Sequence, residues 1–233
     1  MAQVKKLWLI APFIFGFSSA EAGLLSPAEI DRSIFAKDSD FSDQFYFKVP
    51  GNKQLQATSC ADFYQKYQQF GPPVEQSRNA MDFNTLRQNL GACLINHSLR
   101  TGSFTAGHKE LAIGTPVSLP ERLPALMYQA ISNESVKLRD QKVRAGKSLK
   151  AVDTSIHFVD RKDGVFNLAD NTAGNYAIDF LGMGSAMTNG EKVYVVEQSY
   201  SVQNATYLST RYFLLKPEKD GRYSIETEAI VFP

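Results

Sequence analysis

Residues 191–232 read EKVYVVEQSYSVQNATYLSTRYFLLKPEKDGRYSIETEAIVF. The stretch is dense in Val, Tyr, Thr, Phe and Ile and is broken by Asn204-Ala205 and Asp220-Gly221, which predicts three antiparallel strands joined by short turns. In the last of them Tyr223, Ile225, Thr227, Ala229 and Val231 fall on one face, while Ser224, Glu226 and Glu228 fall on the other. Working back, the turn pairs Asn189-Gly190, Gly174-Asn175 and Asp163-Gly164 mark off further runs. Six β-type runs result, at roughly 150–160, 165–169, 175–183, 191–202, 206–216 and 222–232, a meander of about five to six strands. Gly182-Met183-Gly184 within the third run predicts a bulge or bend.

Before residue 134 the apolar period is helical. Ser26-Pro27 has the form of a helix start. Residues 38–56, polar and aromatic and interrupted by Pro50-Gly51, read as a loop with a short strand. A helix begins at Ser59, with Asp62 three positions on and Cys60, Phe63, Tyr64, Tyr67 and Phe70 at helical spacing. It stops at Gly71-Pro72-Pro73. Another runs from about Asp82 to Leu99, with Phe83, Leu86, Leu90, Cys93, Leu94 and His97 on one stripe. A shorter helix covers 120–132, with Leu123, Leu126, Met127, Ala130 and Ile131 inward. Residues 134–150 hold six cations, from Lys137 to Lys150, and read as a solvated connector, with a patch for an acidic partner as the alternative. The expected architecture is α+β: N-terminal helices, including a stapled helical hairpin, packed on a C-terminal antiparallel meander. The divisions are 1–22 (signal), 23–133 (helical half), 134–150 (basic connector) and 151–233 (β half), with the mature part forming one compact domain.

The staple is Cys60–Cys93, the two cysteines of the chain. If the second and third helices form an antiparallel hairpin, Cys60 lies ten residues before its helix ends and Cys93 eleven after the other begins. At a rise of about 1.5 Å per residue the two stand at nearly the same height. The competing reading, a thiolate activated by His97 one turn away, needs a free cysteine.

Oxidation is expected because the N-terminus has the parts of an export signal. Lys5 and Lys6 precede the apolar run Leu7–Phe17, and Ala20-Glu21-Ala22 offers small residues for cleavage after Ala22. The run is too short to span a bilayer, which takes about 20 residues, and no later stretch is apolar enough to do so. The expected location is the periplasm, or the medium if the protein is secreted. Loss of the signal removes Lys5, Lys6 and Glu21 and leaves 23 basic and 23 acidic side chains. That balance gives no bulk attraction to nucleic acid or anionic membrane.

No motif for chemistry stands out. The three histidines, His97, His108 and His157, are too few and too scattered for zinc, and His97 reads as a core residue. Asp38–Asp43 lacks the Gly and terminal Glu of a calcium loop. Gly146-Lys147-Ser148 has the ending of a phosphate loop, but the earlier glycine it needs is Gln141. No cofactor or metal is expected. The candidate pocket residues are His157, Asp179, Tyr194 and Glu197, all on strands, with Asp153 nearby in sequence.

The closing run Tyr207–Phe232 resembles the last strands of the cone-shaped helix-and-curved-sheet folds of the nuclear transport factor 2 type. That resemblance implies a pocket between sheet and helices. The expected role is non-enzymatic binding of another envelope or secreted protein, as by an inhibitor, an immunity protein or an accessory subunit. The alternative is a hydrolase with its site on the sheet.

Overall fold

The computed structural model describes residues 40–74, 80–100, 104–106 and 115–229. The signal segment, the helix expected from Ser26, His108 and the last four residues lie outside them. The chain is α+β, with the C-terminal meander as predicted. Strands β4 (His157–Lys162), β5 (Val165–Ala169), β6 (Gly174–Ser185), β7 (Lys192–Val202), β8 (Leu208–Pro217) and β9 (Tyr223–Ala229) pair antiparallel in sequence order. A two-residue strand β3 (Thr105–Ala106) pairs with β6 beyond the reach of β5.

Positive φ at Asp163 and Gly164 closes the β4–β5 hairpin, and positive φ at Asn204 and at Gly221 serves the next turns. These are the residues that adopt such conformations at least cost. One turn differs from the reading. Gly174 opens β6, and the reversal lies at 170–173, where Asp170 Oδ1 accepts from the backbone N–H groups of Thr172 and Gly174. An aspartate side chain does the organising there, a local device that outweighs the dipeptide signal.

The sheet is buried on both faces. On one face Val193, Val195, Tyr212, Leu214 and Ala229 pack with Phe63, Leu90, Cys93 and Ile95 of helices α1 (Cys60–Phe70) and α2 (Ala80–Ser98). On the other, Ile178, Phe180, Val196 and Phe213 pack with Leu119, Leu123, Met127 and Leu149. Bulges make two strands change face. The β6–β7 register shifts between Phe180 and Gly182 and leaves Leu181 as an extra residue, so that Phe180 stands opposite Val196 of one core and Gly182 opposite Val195 of the other. This is the bend predicted from the glycines. Gly182 has a second duty, because a Cβ there would lie 2.4 Å from the Thr105 carbonyl oxygen of β3.

The second bulge corrects the reading of β9. Leu214 pairs with Thr227 but Leu215 with Ile225, leaving Glu226 as an extra residue. The alternation therefore slips: Tyr223 and Ile225 join one core and Ala229 the other.

The helical hairpin and its staple are as expected. Ser59 Oγ accepts from the Asp62 backbone N–H at 3.2 Å and caps α1. Asp62 reaches past the cap to the Thr58 backbone N–H, at 3.0 Å. The Cys60–Cys93 disulfide joins the start of α1 to the last turns of α2 with the Cα atoms 5.1 Å apart. His97 corrects its assignment as core. It is exposed, and its ring stacks on Tyr64 with centroids 3.5 Å apart.

Three segments differ more. The polar loop expected over 38–56 is a hairpin of β1 (Asp40–Val49) and β2 (Lys53–Ser59), turned by Gly51 and Asn52 at positive φ. It buries Phe47, Val49 and Ala57 against the helices. The helix expected at 120–132 breaks into α3 (Leu119–Arg122) and a 3-10 turn, Ala125–Met127. Pro124 forces Leu123 into an extended conformation and stops the helix, which leaves Ile131 exposed rather than inward. The basic connector contains α4 (Asn133–Arg144), started by a Ser132–Ser135 capping box, and no α4 residue is buried. The strand expected from 150 begins at His157 instead. Leu149–Val152 is a helical turn, α5, and Asp153 Oδ1 accepts from the Ser155 backbone N–H to redirect the chain.

One ion pair fastens the proline-broken segment to the sheet. The Arg211 guanidinium donates to Glu228 Oε1, to the Leu126 carbonyl at 3.0 Å and to the Tyr128 carbonyl at 3.4 Å. Both partners are only 14% exposed in their side chains. Removing one member of such a pair strands the other, at a cost of about 3 kcal/mol. Arg211→Ala is therefore expected to lower the unfolding free energy by about 2–4 kcal/mol in urea titration. Arg211→Lys should recover only part, having lost the fork. Converting both cysteines to serine is expected to remove about 3–4 kcal/mol, from the entropy of closing a loop with a sequence separation of 33.

Candidate functional site

The four sequence-derived candidates fall in three places. Asp179 on β6 and Glu197 on β7 are direct cross-strand partners, and Glu197 is in turn opposite Tyr212 on β8. The row faces the α1–α2 layer. Asp179 is 3% exposed and Glu197 5%. Tyr194 is three residues before Glu197, on the other face, with its ring edge-on to Phe180 and Tyr223. His157 is exposed on the edge strand β4, its Nδ1 2.9 Å from the Ser155 carbonyl oxygen. Asp153 caps a turn. The structure thus unites the two acids and separates them from Tyr194 and His157.

Glu197 is strongly perturbed. Burial raises its pKa from 4.5 to about 7, and the neighbouring Asp179 pushes the same way. Hydrogen bonds oppose the rise: Tyr212 Oη donates at 2.8 Å, Gln88 Nε2 from α2 at 3.4 Å and Ser199 Oγ at 3.4 Å. The Tyr212 hydroxyl is pushed well above its usual pKa by burial and by the same carboxylate. A buried acid that keeps its proton near neutrality beside a second acid is the raw material of acid–base catalysis. Here α2 packs across β8 and β9, and its Gln88 reaches Glu197, so that acid is roofed over. Asp179 is buried beside it.

Open space lies elsewhere. A cleft of about 950 Å3 forms where the β8–β9 turn meets the loop between α4 and α5. Apolar walls come from Leu123, Leu126, Val143, Tyr223 and Ile225. Two backbone bonds hold the walls in place, Ala125 N–H to the Lys147 carbonyl and Leu149 N–H to the Leu123 carbonyl. Arg122 donates to the Gly221 carbonyl and lies over the Tyr223 ring at 5.2 Å, bracing the turn. The phosphate-loop ending, Gly146-Lys147-Ser148, is part of the wall. The sequence reading missed this cleft, because its residues come from four separated segments. Their shared signal was the cationic run 137–150, read as solvated.

Several charges in the cleft are already paired. Lys216 Nζ lies 2.6 Å from Glu191, Arg222 donates to Asp220 at 2.7 Å, and Ser224 Oγ donates to Glu218 at 2.5 Å. The lining holds no histidine or cysteine. Among the described residues no group of three His, Cys, Asp or Glu could hold a metal, and no helix is long and apolar enough to cross a membrane. Compared with family models, curated proteins and solved structures, the chain matches none.

The buried acid has a measurable signature. With its pKa raised on folding, Glu197 holds its proton more tightly in the native state than in the unfolded chain. Its contribution is complete below about 4.5, declines as pH rises and is lost above about 7. A shift of this size corresponds to about 3 kcal/mol. Unfolding free energy measured across that window is expected to fall with pH in the native sequence. Glu197→Gln should flatten the slope and be the more stable at pH 8.

Proposed function

We propose that the chain is an exported binding protein of the cell envelope, acting in the periplasm or, alternatively, after secretion. The observation that carries this reading is the separation of chemistry from access. Glu197, the buried acid with raised proton affinity, is covered by Gln88 of α2, while the open cleft is lined by apolar side chains and partly paired charges and holds no histidine or cysteine. A cleft of that composition recognises a surface or segment and has little means of transforming it. The Cys60–Cys93 bond supports an oxidising destination, in agreement with the Lys5–Ala22 segment. Another envelope or secreted protein is the expected partner, consistent with the charge balance of the mature chain.

The hydrolase reading retains one supporting observation, the Asp179–Glu197 neighbourhood with Glu197 near neutrality. Substrate access there requires α2 to leave the sheet and expose the larger part of one core.

Osmotic-shock release followed by intact-mass measurement tests the export half of the proposal. The expected product begins at Gly23 and gains two protons on reduction. A cytosolic product that begins at Met1 with free thiols overturns it. Chemical cross-linking in the intact envelope tests the binding half, with one stoichiometric partner expected. Absence of any cross-linked species, together with turnover of envelope material that Glu197→Gln abolishes, would favour the hydrolase.

A further inference from the structure

The charge lining the cleft is unbalanced. Of the lining cations, Lys216 and Arg222 are matched by Glu191 and Asp220. Among the described residues, Lys147 and Lys219 have no ion pair, and Arg122 donates to a carbonyl rather than to an acid. Glu218 is the one lining acid without a cation in hydrogen-bond contact among the described residues, and Ser224 holds it. Five cations, Arg122, Lys147, Lys216, Lys219 and Arg222, thus face three acids, Glu191, Glu218 and Asp220, across the lining. The field is local, and it selects an anionic ligand.

We infer that the cleft binds an acidic, partly apolar polypeptide segment of the partner, with its carboxylates set against Lys147 and Lys219 and its apolar side chains on Leu126, Val143 and Ile225. This inference rests on the binding role proposed above and names the chemistry of its ligand. Three features separate a polypeptide from other anions. The walls are apolar where the ligand enters, which suits side chains and not a polysaccharide. Glu191, Glu218 and Asp220 interrupt the cations, so a backbone with a phosphate at every unit meets repulsion that spaced carboxylates avoid. The site is concave, between a hairpin turn and a helix end, whereas a bilayer surface is flat. Neither α4 nor the turn buries a residue that neutralisation of these cations would disturb: α4 has no buried residue and Lys147 and Lys219 are exposed.

The test uses the disulfide-bonded full-length mature protein and a fluorescein-labelled dodecapeptide in which four Glu are spaced by Leu, Ser and Gly. Fluorescence anisotropy is expected to show binding at low salt that weakens about tenfold between about 20 and 300 mM sodium chloride. The K147Q/K219Q protein should bind about five- to tenfold more weakly, with an unchanged thermal midpoint as the folding control. The salt titration on the native sequence serves if that variant fails to fold. A peptide with Lys in place of Glu should not bind. No binding at low salt, binding indifferent to salt, or equal binding by a single-stranded oligonucleotide or by phosphatidylglycerol vesicles overturns the inference. Self-association that occupies the cleft, seen as a dimer in sedimentation, overturns it as well. Cross-linking of the natural partner equally to the native and neutralised proteins sinks the acidic ligand and leaves the binding role intact. Peptide binding without any natural partner does the reverse.

Discussion

The structure depends on strand β7 being covered on both sides. Val193 and Val195 point into one core, Val196 and Tyr200 into the other, and neither layer can be removed without wetting the centre of the sheet. A two-faced strand needs two covers, and the chain makes them by different means. The α1–α2 hairpin and β1–β2 supply one from contiguous sequence. The other is assembled from short helical pieces between residues 116 and 152, held down by the Arg211 guanidinium. The same constraint traps polar side chains. Glu197 and Gln198 are adjacent on β7 and each is almost completely enclosed, one in each layer. An acid placed there is tolerated because Tyr212, Gln88 and Ser199 give it hydrogen bonds and because it can keep its proton near neutrality.

Legibility in the sequence followed the range of the forces involved. The meander was readable because each turn is set by residues at the turn itself, such as Asp163-Gly164 and Asn204. The staple was readable because helical rise converts residue number into height, and Cys60 and Cys93 obey it. The β1–β2 hairpin was missed because Asp40–Val49 is polar and aromatic without clear alternation, and its buried side chains Phe47, Val49 and Ala57 pack against helices elsewhere in the chain. The break at Pro124 was missed although its signal is local: the apolar spacing of Leu123, Leu126 and Met127 suits a helix, and the imide nitrogen vetoes it. The β9 slip could not be read at all, since a bulge at Glu226 depends on what β8 places opposite.

The candidate residues show the same division. Reading strands placed Asp179 and Glu197 on the sheet, and alternation alone sets Tyr194 on the opposite face from Glu197, but only pairing register made the two acids neighbours. The cleft was invisible for a different reason. Clefts form where elements end, and ends are joined by three-dimensional proximity. Arg122, Val143, Lys147 and Lys219 share a wall although 97 positions separate the first from the last. The cationic run around 142–147 was noticed in the sequence, yet only its location beside an apolar hollow distinguishes it from an ordinary solvated helix.

The sulfur bridge also bears on the order of assembly. Its ring closes entirely within residues 60–93, and the groups that align it, the Ser59 cap and two helices, belong to the same span. A chain delivered N-terminus first can therefore lock this unit while the strands that complete the sheet are still to arrive. The helices then wait as a preformed lid for β8 and β9, and the distant helix–sheet contacts form on a template that is already covalently committed.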